Sequence, residues 1–170
     1  MPNEIIQTIN DVISSEAASH YAANVKKKQC RKSDCVDFLE GEIVSAGTKN
    51  CTLSNERGGV YGFAIKFESK TEKIEFFNKL KANNFKMRIH NPDEWKPLKD
   101  NFYPLYWGKD VNLGFRLYEH TTDNKTSASI QLCREAFEGY SIIYGGVLCK
   151  NRDVYENMLH KEYADLLKNA

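Results

Sequence analysis

The stretch that most constrains this chain runs from residue 106 to residue 120, Tyr-Trp-Gly-Lys-Asp-Val-Asn-Leu-Gly-Phe-Arg-Leu-Tyr-Glu-His. Aromatic residues closed by Gly108 predict a strand that passes at once into a helix. Lys109, Arg116 and His120 recur at helical spacing, so the sequence places all three toward one side. Cationic and proton-handling groups gathered where a strand meets a helix suit an anionic, phosphate-bearing ligand.

The rest of the chain must bury that strand. Its 170 residues are 41% hydrophobic and 12% aromatic, enough for one compact domain with a genuine core. Charge is almost balanced, with 24 Lys+Arg against 23 Asp+Glu, so nucleic-acid binding would have to come from local patches. No apolar run approaches a bilayer span, and the start lacks the basic and apolar blocks of a secretory signal. Five irregularly spaced cysteines (Cys30, Cys35, Cys51, Cys133, Cys149) read as reduced thiols, which predicts a cytoplasmic protein and argues against a zinc site.

Periodicity predicts helix over residues 3–28, carried by Ile5, Ile6, Ile9, Val12 and Ile13, followed by the basic cluster Lys26, Lys27, Lys28, Arg31 and Lys32. Ser33 reads as the N-cap of a further helix over 34–45. Residues 58–67 read as a strand, 71–82 as a helix, 85–89 as a short strand and 103–108 as the next long one. A helix over 110–119, another over 127–136, a strand over 141–149 and a final helix over 151–167 complete the order. The expected fold is α+β, a small central β-sheet flanked by helices. Residues 1–57 would form a helical N-terminal extension, and residues 58–170 the main domain, with an insertion at about 68–102 between its first two strands.

At this point the pieces resemble the GIY-YIG nucleases over roughly residues 58–169. Gly59-Val60-Tyr61 looks like the first tyrosine-bearing strand of that family and Tyr106-Trp107-Gly108 like the second. Gly108-Lys109, Asn112-Leu113, Arg116 and His120 match the family's pattern after the second strand in type and spacing. Glu156, with Asn169 beyond it, is similar to the family's closing glutamate and asparagine. Three departures stand out. The two tyrosine strands lie far apart in sequence, Trp107 replaces a small apolar residue, and no proline precedes the terminal asparagine.

The resemblance implies a metal-dependent DNA endonuclease leaving 5′-phosphate and 3′-hydroxyl ends. Glu156, with Glu162 as its nearest rival, would anchor one Mg²⁺, with Mn²⁺ as a substitute; a single carboxylate plus water and phosphate oxygens suits that ion. Tyr61 is the implied general base, with Tyr106 competing for the role. Gly59, Gly108, Asn112 and Asn169 would be structural. From the residues themselves, Arg116 offers a permanently charged fork for phosphate, His120 shares its helix face one turn on, and Lys109 can contact phosphate or tune a tyrosine. Lys26, Lys27, Lys28 and Arg31, with Lys86, Arg88 and Lys96 of the insertion, are candidate contacts to double-stranded or branched DNA. A homodimer would suit a duplex-cutting enzyme with one site per chain. Two alternatives stay open: a nucleic-acid-binding or protein-interaction module that has lost catalysis, and a nuclease directed at RNA.

Overall fold

The computed structural model describes residues 3–23, 38–43, 58–99, 101–111, 116, 119–120, 130, 132, 134–149 and 152–168. Its elements are α1 (Glu4–Ala23), β1 (Phe38–Ile43), β2 (Gly59–Lys66), α2 (Lys70–Ala82), β3 (Phe102–Asp110), β4 (Ser141–Leu148) and α3 (Arg152–Glu162). Single turns of 3₁₀ helix at Pro92–Glu94 and Glu135–Phe137 complete the described elements. The fold is α+β. One four-stranded sheet has the order β1-β4-β2-β3, and every neighbouring pair is antiparallel.

The central strand β2 explains the layering. Successive side chains of a strand point to opposite faces. Tyr61, Phe63 and Ile65 enter one core with Phe76, Phe77 and Leu80 of α2. Val60 and Ala64 enter a second core with Ile5, Ile9 and Ile13 of α1, Trp107 of β3, and Tyr155 and Leu159 of α3. The sheet therefore lies between a layer built on α2 and a layer built on α1 and α3. No helix among the described residues is long and apolar enough to cross a membrane.

Residues 67–99 form the lid of the first core. Ser69 caps α2 by accepting the Glu72 N–H at 3.1 Å, and Glu72 accepts the N–H of Glu68, the residue before the cap, at 3.4 Å. At its far end the helix closes in a Schellman motif. The Phe85 N–H bonds the Leu80 carbonyl at 3.1 Å, the Asn84 N–H bonds that of Lys81 at 3.2 Å, and Asn84 takes a φ of 60°. The buried Lys73 amine donates to the carbonyls of Pro92 and Trp95, both at 2.8 Å, and lies 4.7 Å from the centre of the Tyr103 ring. Two carbonyls and an aromatic face offset the cost of taking that amine out of water. Trp95, fully buried, stacks on Phe76 and donates its indole N–H to the Pro104 carbonyl at 2.7 Å.

The outer edge of β3 is covered by the chain's last described residues. Leu166 and Leu167 donate to the Pro104 and Leu105 carbonyls at 3.2 and 2.9 Å. Asp165, buried, accepts the Trp107 N–H at 3.0 Å and faces His160 Nδ1 at 2.8 Å. The same segment bridges Met87 through Leu167. An edge that would otherwise be open to pairing is thereby closed.

Several expectations change. Residues 85–89 make only the single bridge from Met87 to Leu167 and are not a strand, and the described residues between 127 and 136 are turn and 3₁₀ helix, not α-helix. Residues 38–43 are a strand, not part of a helix over 34–45. Gly41 weakens a helix there, and six residues of pairing to β4 satisfy backbone groups that a lone helix would leave to water. Residues 1–57 are therefore not a purely helical preface, since they add an edge strand to the central sheet. The last helix stops at Glu162, because residues 163–168 extend along β3 instead of continuing to 167.

Candidate active site

Two glycines and two aromatic rings set the local geometry. Tyr61 pairs with Gly108 across β2 and β3, and Gly62 pairs with Trp107. A Cβ at Gly108 would meet the Cζ and Oη of Tyr61 well inside 3.0 Å, and a Cβ at Gly62 would meet the Trp107 ring equally closely. The Tyr61 phenol thus lies against bare backbone at position 108, on the α2 face of the sheet. Trp107 does the same at position 62, on the α1 and α3 face. Trp107 fills the second core.

On the α2 face Tyr61, Tyr106, Arg116 and His120 come together. The Tyr61 hydroxyl lies 2.7 Å from His120 Nε2. The Ile130 N–H donates to His120 Nδ1 at 3.0 Å, so Nδ1 is the unprotonated nitrogen of a neutral ring and Nε2 carries the hydrogen. His120 therefore donates to the Tyr61 oxygen. Burial, reinforced by the Arg116 charge, holds the imidazole well below its ordinary pKa, which keeps it neutral. Arg116 also hydrogen-bonds the phenol and sits 3.7 Å from Glu119. The Tyr106 ring lies 6.2 Å from that of Tyr61 and 5.0 Å from that of His120, centre to centre.

Two donors converge on one phenol oxygen, an arrangement that favours the phenolate. Burial works the other way and is the larger effect. Desolvation, helped by Tyr106, raises Tyr61 well above its ordinary value, and Arg116 opposes it. Tyr61 is 1% exposed, His120 0% and Arg116 8%, so Arg116 is the member closest to solvent.

Lys109 and Glu156 belong to a different set of neighbours. Lys109 is the penultimate residue of β3, not a residue of the following helix. It shares neither helix nor face with Arg116, since the strand runs two residues past Gly108 to pair Lys109 with Val60 and Asp110 with Gly59. Its amine is ion-paired with Asp153 on α3, a contact that raises the lysine and lowers the aspartate. Glu156 is half-buried one turn further along α3. Burial raises its pKa, while His160, Lys109 and Arg88 act to lower it. The start of β2, the end of β3 and the start of α3 lie at one end of the sheet, with the tyrosine cluster on one face and the Glu156 group on the other.

The remaining candidates scatter. Gly59 opens β2 opposite Asp110 and Leu148. Arg88 bonds the Leu167 carbonyl at 3.2 Å and lies 3.6 Å from Asp165, so it ties down the chain end. Lys86 and Lys96 are exposed. Residues 68–102 are not a separate lobe, because α2 and Trp95 are built into the first core. Lys26, Lys27, Lys28, Arg31, Asn112 and Asn169 lie outside the described residues. Sequence reasoning did not pick out Glu119, nor Asp153 and Asp165, whose partners come from distant segments. Glu119 alone carried a local signal, three residues after Arg116. Among the described residues no group of three or more His, Cys, Asp or Glu side chains could hold a metal ion. No family model, no curated protein and no solved structure matches the chain.

Proposed function

We propose that the chain is a metal-dependent DNA endonuclease of the GIY-YIG type. One observation carries this reading: the Tyr61 hydroxyl is held by a neutral His120 Nε2–H and by Arg116, with His120 itself fixed through its other nitrogen. Phosphodiester hydrolysis needs an activated water and a neutraliser for charge developing on the phosphoryl oxygens. Tyr61 takes the proton of the attacking water when in its phenolate form. His120 and Arg116 stabilise that form, and Tyr106 confines the ring. Arg116, closest to solvent, is the group that meets the phosphate, through a fork matched to two oxygens.

Glu156 fits a hard divalent cation such as Mg²⁺ or Mn²⁺. It offers one carboxylate, and such an ion takes its other ligands from water and phosphate, so the absence of a three-carboxylate cluster among the described residues is no obstacle. Bound there, the ion would draw charge from the scissile phosphate and the leaving oxygen. Lys109 and Asp153 flank this position and hold each other's charge.

A second reading is favoured by the burial of Tyr61 and His120 together with the upward push on the phenol. In it the cluster is structural and the chain is a binding module. Incubation of supercoiled plasmid with the protein and Mg²⁺ separates the two. The nuclease reading predicts nicking or cutting by the parent, with Arg116→Ala and Glu156→Gln each reduced by about 10²-fold or more. Binding without cleavage of duplex, branched or single-stranded DNA would favour the module. Cleavage of RNA alone would move the substrate class, and equal activity in both variants would remove these residues from the site.

A further inference from the structure

Away from the tyrosine cluster, the end of α2 and the chain before β4 enclose a second recess that no step above uses. Its larger part has a volume of about 650 Å³ and is lined by Lys79, Asn83, Phe85 and Arg134, among others. A smaller part, about 120 Å³, shares Phe85 and Arg134 and adds Lys86, Ile130 and Lys168. Among the described residues, four cationic side chains line the two parts against one acidic residue, Glu135. The chain as a whole is nearly neutral, so this is a local concentration of positive charge.

The recess is fixed by the fold. The Schellman motif sets Phe85 immediately past α2, and the Phe85 ring packs edge-on against buried Phe137 at 5.5 Å between centres. The Arg134 guanidinium lies over the same ring at 3.9 Å. A stacked guanidinium uses its face for the ring and keeps its in-plane N–H donors for oxygen acceptors. Lys79 is held in turn by the Tyr140 hydroxyl at 3.0 Å.

The recess is also connected to the proposed active site. Ile130, which lines its smaller part, donates its N–H to His120 Nδ1, and the Leu132 N–H bonds the His120 carbonyl at 2.8 Å. The four residue steps from Ile130 to Arg134 reach at most about 14 Å, so Arg134 lies within that distance of the residue that holds His120.

We propose that this recess is a phosphate track that holds the DNA strand flanking the scissile phosphate. Arg134 stacked on Phe85 is its anchor, and Lys79, Lys86 and Lys168 are its further phosphate contacts. The proposal rests on the DNA-cleaving reading above, and its test keeps the two apart. Arg134 and Lys86 are exposed, so Arg134→Ala and Lys86→Gln leave the cores intact. Binding of short duplexes of unrelated sequence is followed by fluorescence anisotropy without metal, at several salt concentrations. Cleavage is then measured with Mg²⁺ at saturating DNA. Each variant should bind about fivefold more weakly, equally across sequences, with the slope of log K against log salt reduced by about one and kcat unchanged. A parent that cleaves DNA while both variants keep its affinity and salt slope would overturn the track and leave the nuclease intact. A parent that neither binds nor cleaves DNA would overturn both.

Discussion

At the scale of single residues, Gly108 is the most informative position after the cluster it supports. The phenol of Tyr61 rests against its backbone, and a methyl group there must push the ring aside. Gly62 is its mirror on the other face, where a methyl group meets Trp107. The two substitutions should differ in their effect on function. Gly108→Ala is expected to lower cleavage by the folded fraction by about 10²-fold through a displaced base, and to lower the thermal midpoint as well, because the Tyr61 ring it meets is buried. Gly62→Ala is expected to lower the midpoint by overpacking, at a cost of about 1–3 kcal/mol, with cleavage by the folded fraction retained. Cleavage rates and melting curves on the pair check this; equal loss of activity in both would contradict it. Arg116, His120 and the two tyrosines were legible as a group because their spacing in sequence maps onto one helix and two strands. Lys109 was misread because residues past Gly108 fit strand or helix equally well. Only the pairing of Lys109 and Asp110 with Val60 and Gly59 decides between them.

Elements with strong internal periodicity were readable, and those held by distant partners were not. α1 and α2 follow from apolar residues at helical spacing, and β4 from a β-branched and aromatic run around a glycine pair. β1 has no such signal, since a six-residue strand at a sheet edge exists because β4 offers it a partner. The extended chain after α3 is similar: Asp165 anchors it, and only the folded sheet gives that carboxylate its donors. Asp165→Ala should orphan the buried Trp107 N–H and cost about 1–3 kcal/mol from that group alone. The cost would appear as a lower urea midpoint and faster amide exchange along β3. Unchanged exchange at Trp107 would show that the carboxylate does not hold this edge.

At the scale of the molecule, one sheet separates two chemistries. The α2 face carries the tyrosine, histidine and arginine, with the cationic recess further along. The α1 and α3 face carries Glu156 with Lys109 and Asp153, and both groups lie near the end of the sheet where β2 begins. A phosphodiester lying across that end would meet Arg116 from one side and a cation on Glu156 from the other. The α+β class and the sheet with flanking helices were readable in the sequence. This division between faces was not, because it depends on which face of β3 each side chain takes. The central claim, that Tyr61 is the base, has a consequence in pH. A phenol raised well above its ordinary value is protonated at neutral pH, so the reactive phenolate grows as pH rises. His120, held neutral, adds no limb near its own ordinary value. The direct test is the single-turnover rate of DNA cleavage in Mg²⁺ from about pH 6 to 9, for the parent and for Tyr61→Phe. A parent rate climbing about tenfold per pH unit, and a Tyr61→Phe rate at least about 10²-fold lower without that climb, is the predicted result. A Tyr61→Phe protein that cleaves at the parent rate with the same pH profile would contradict it.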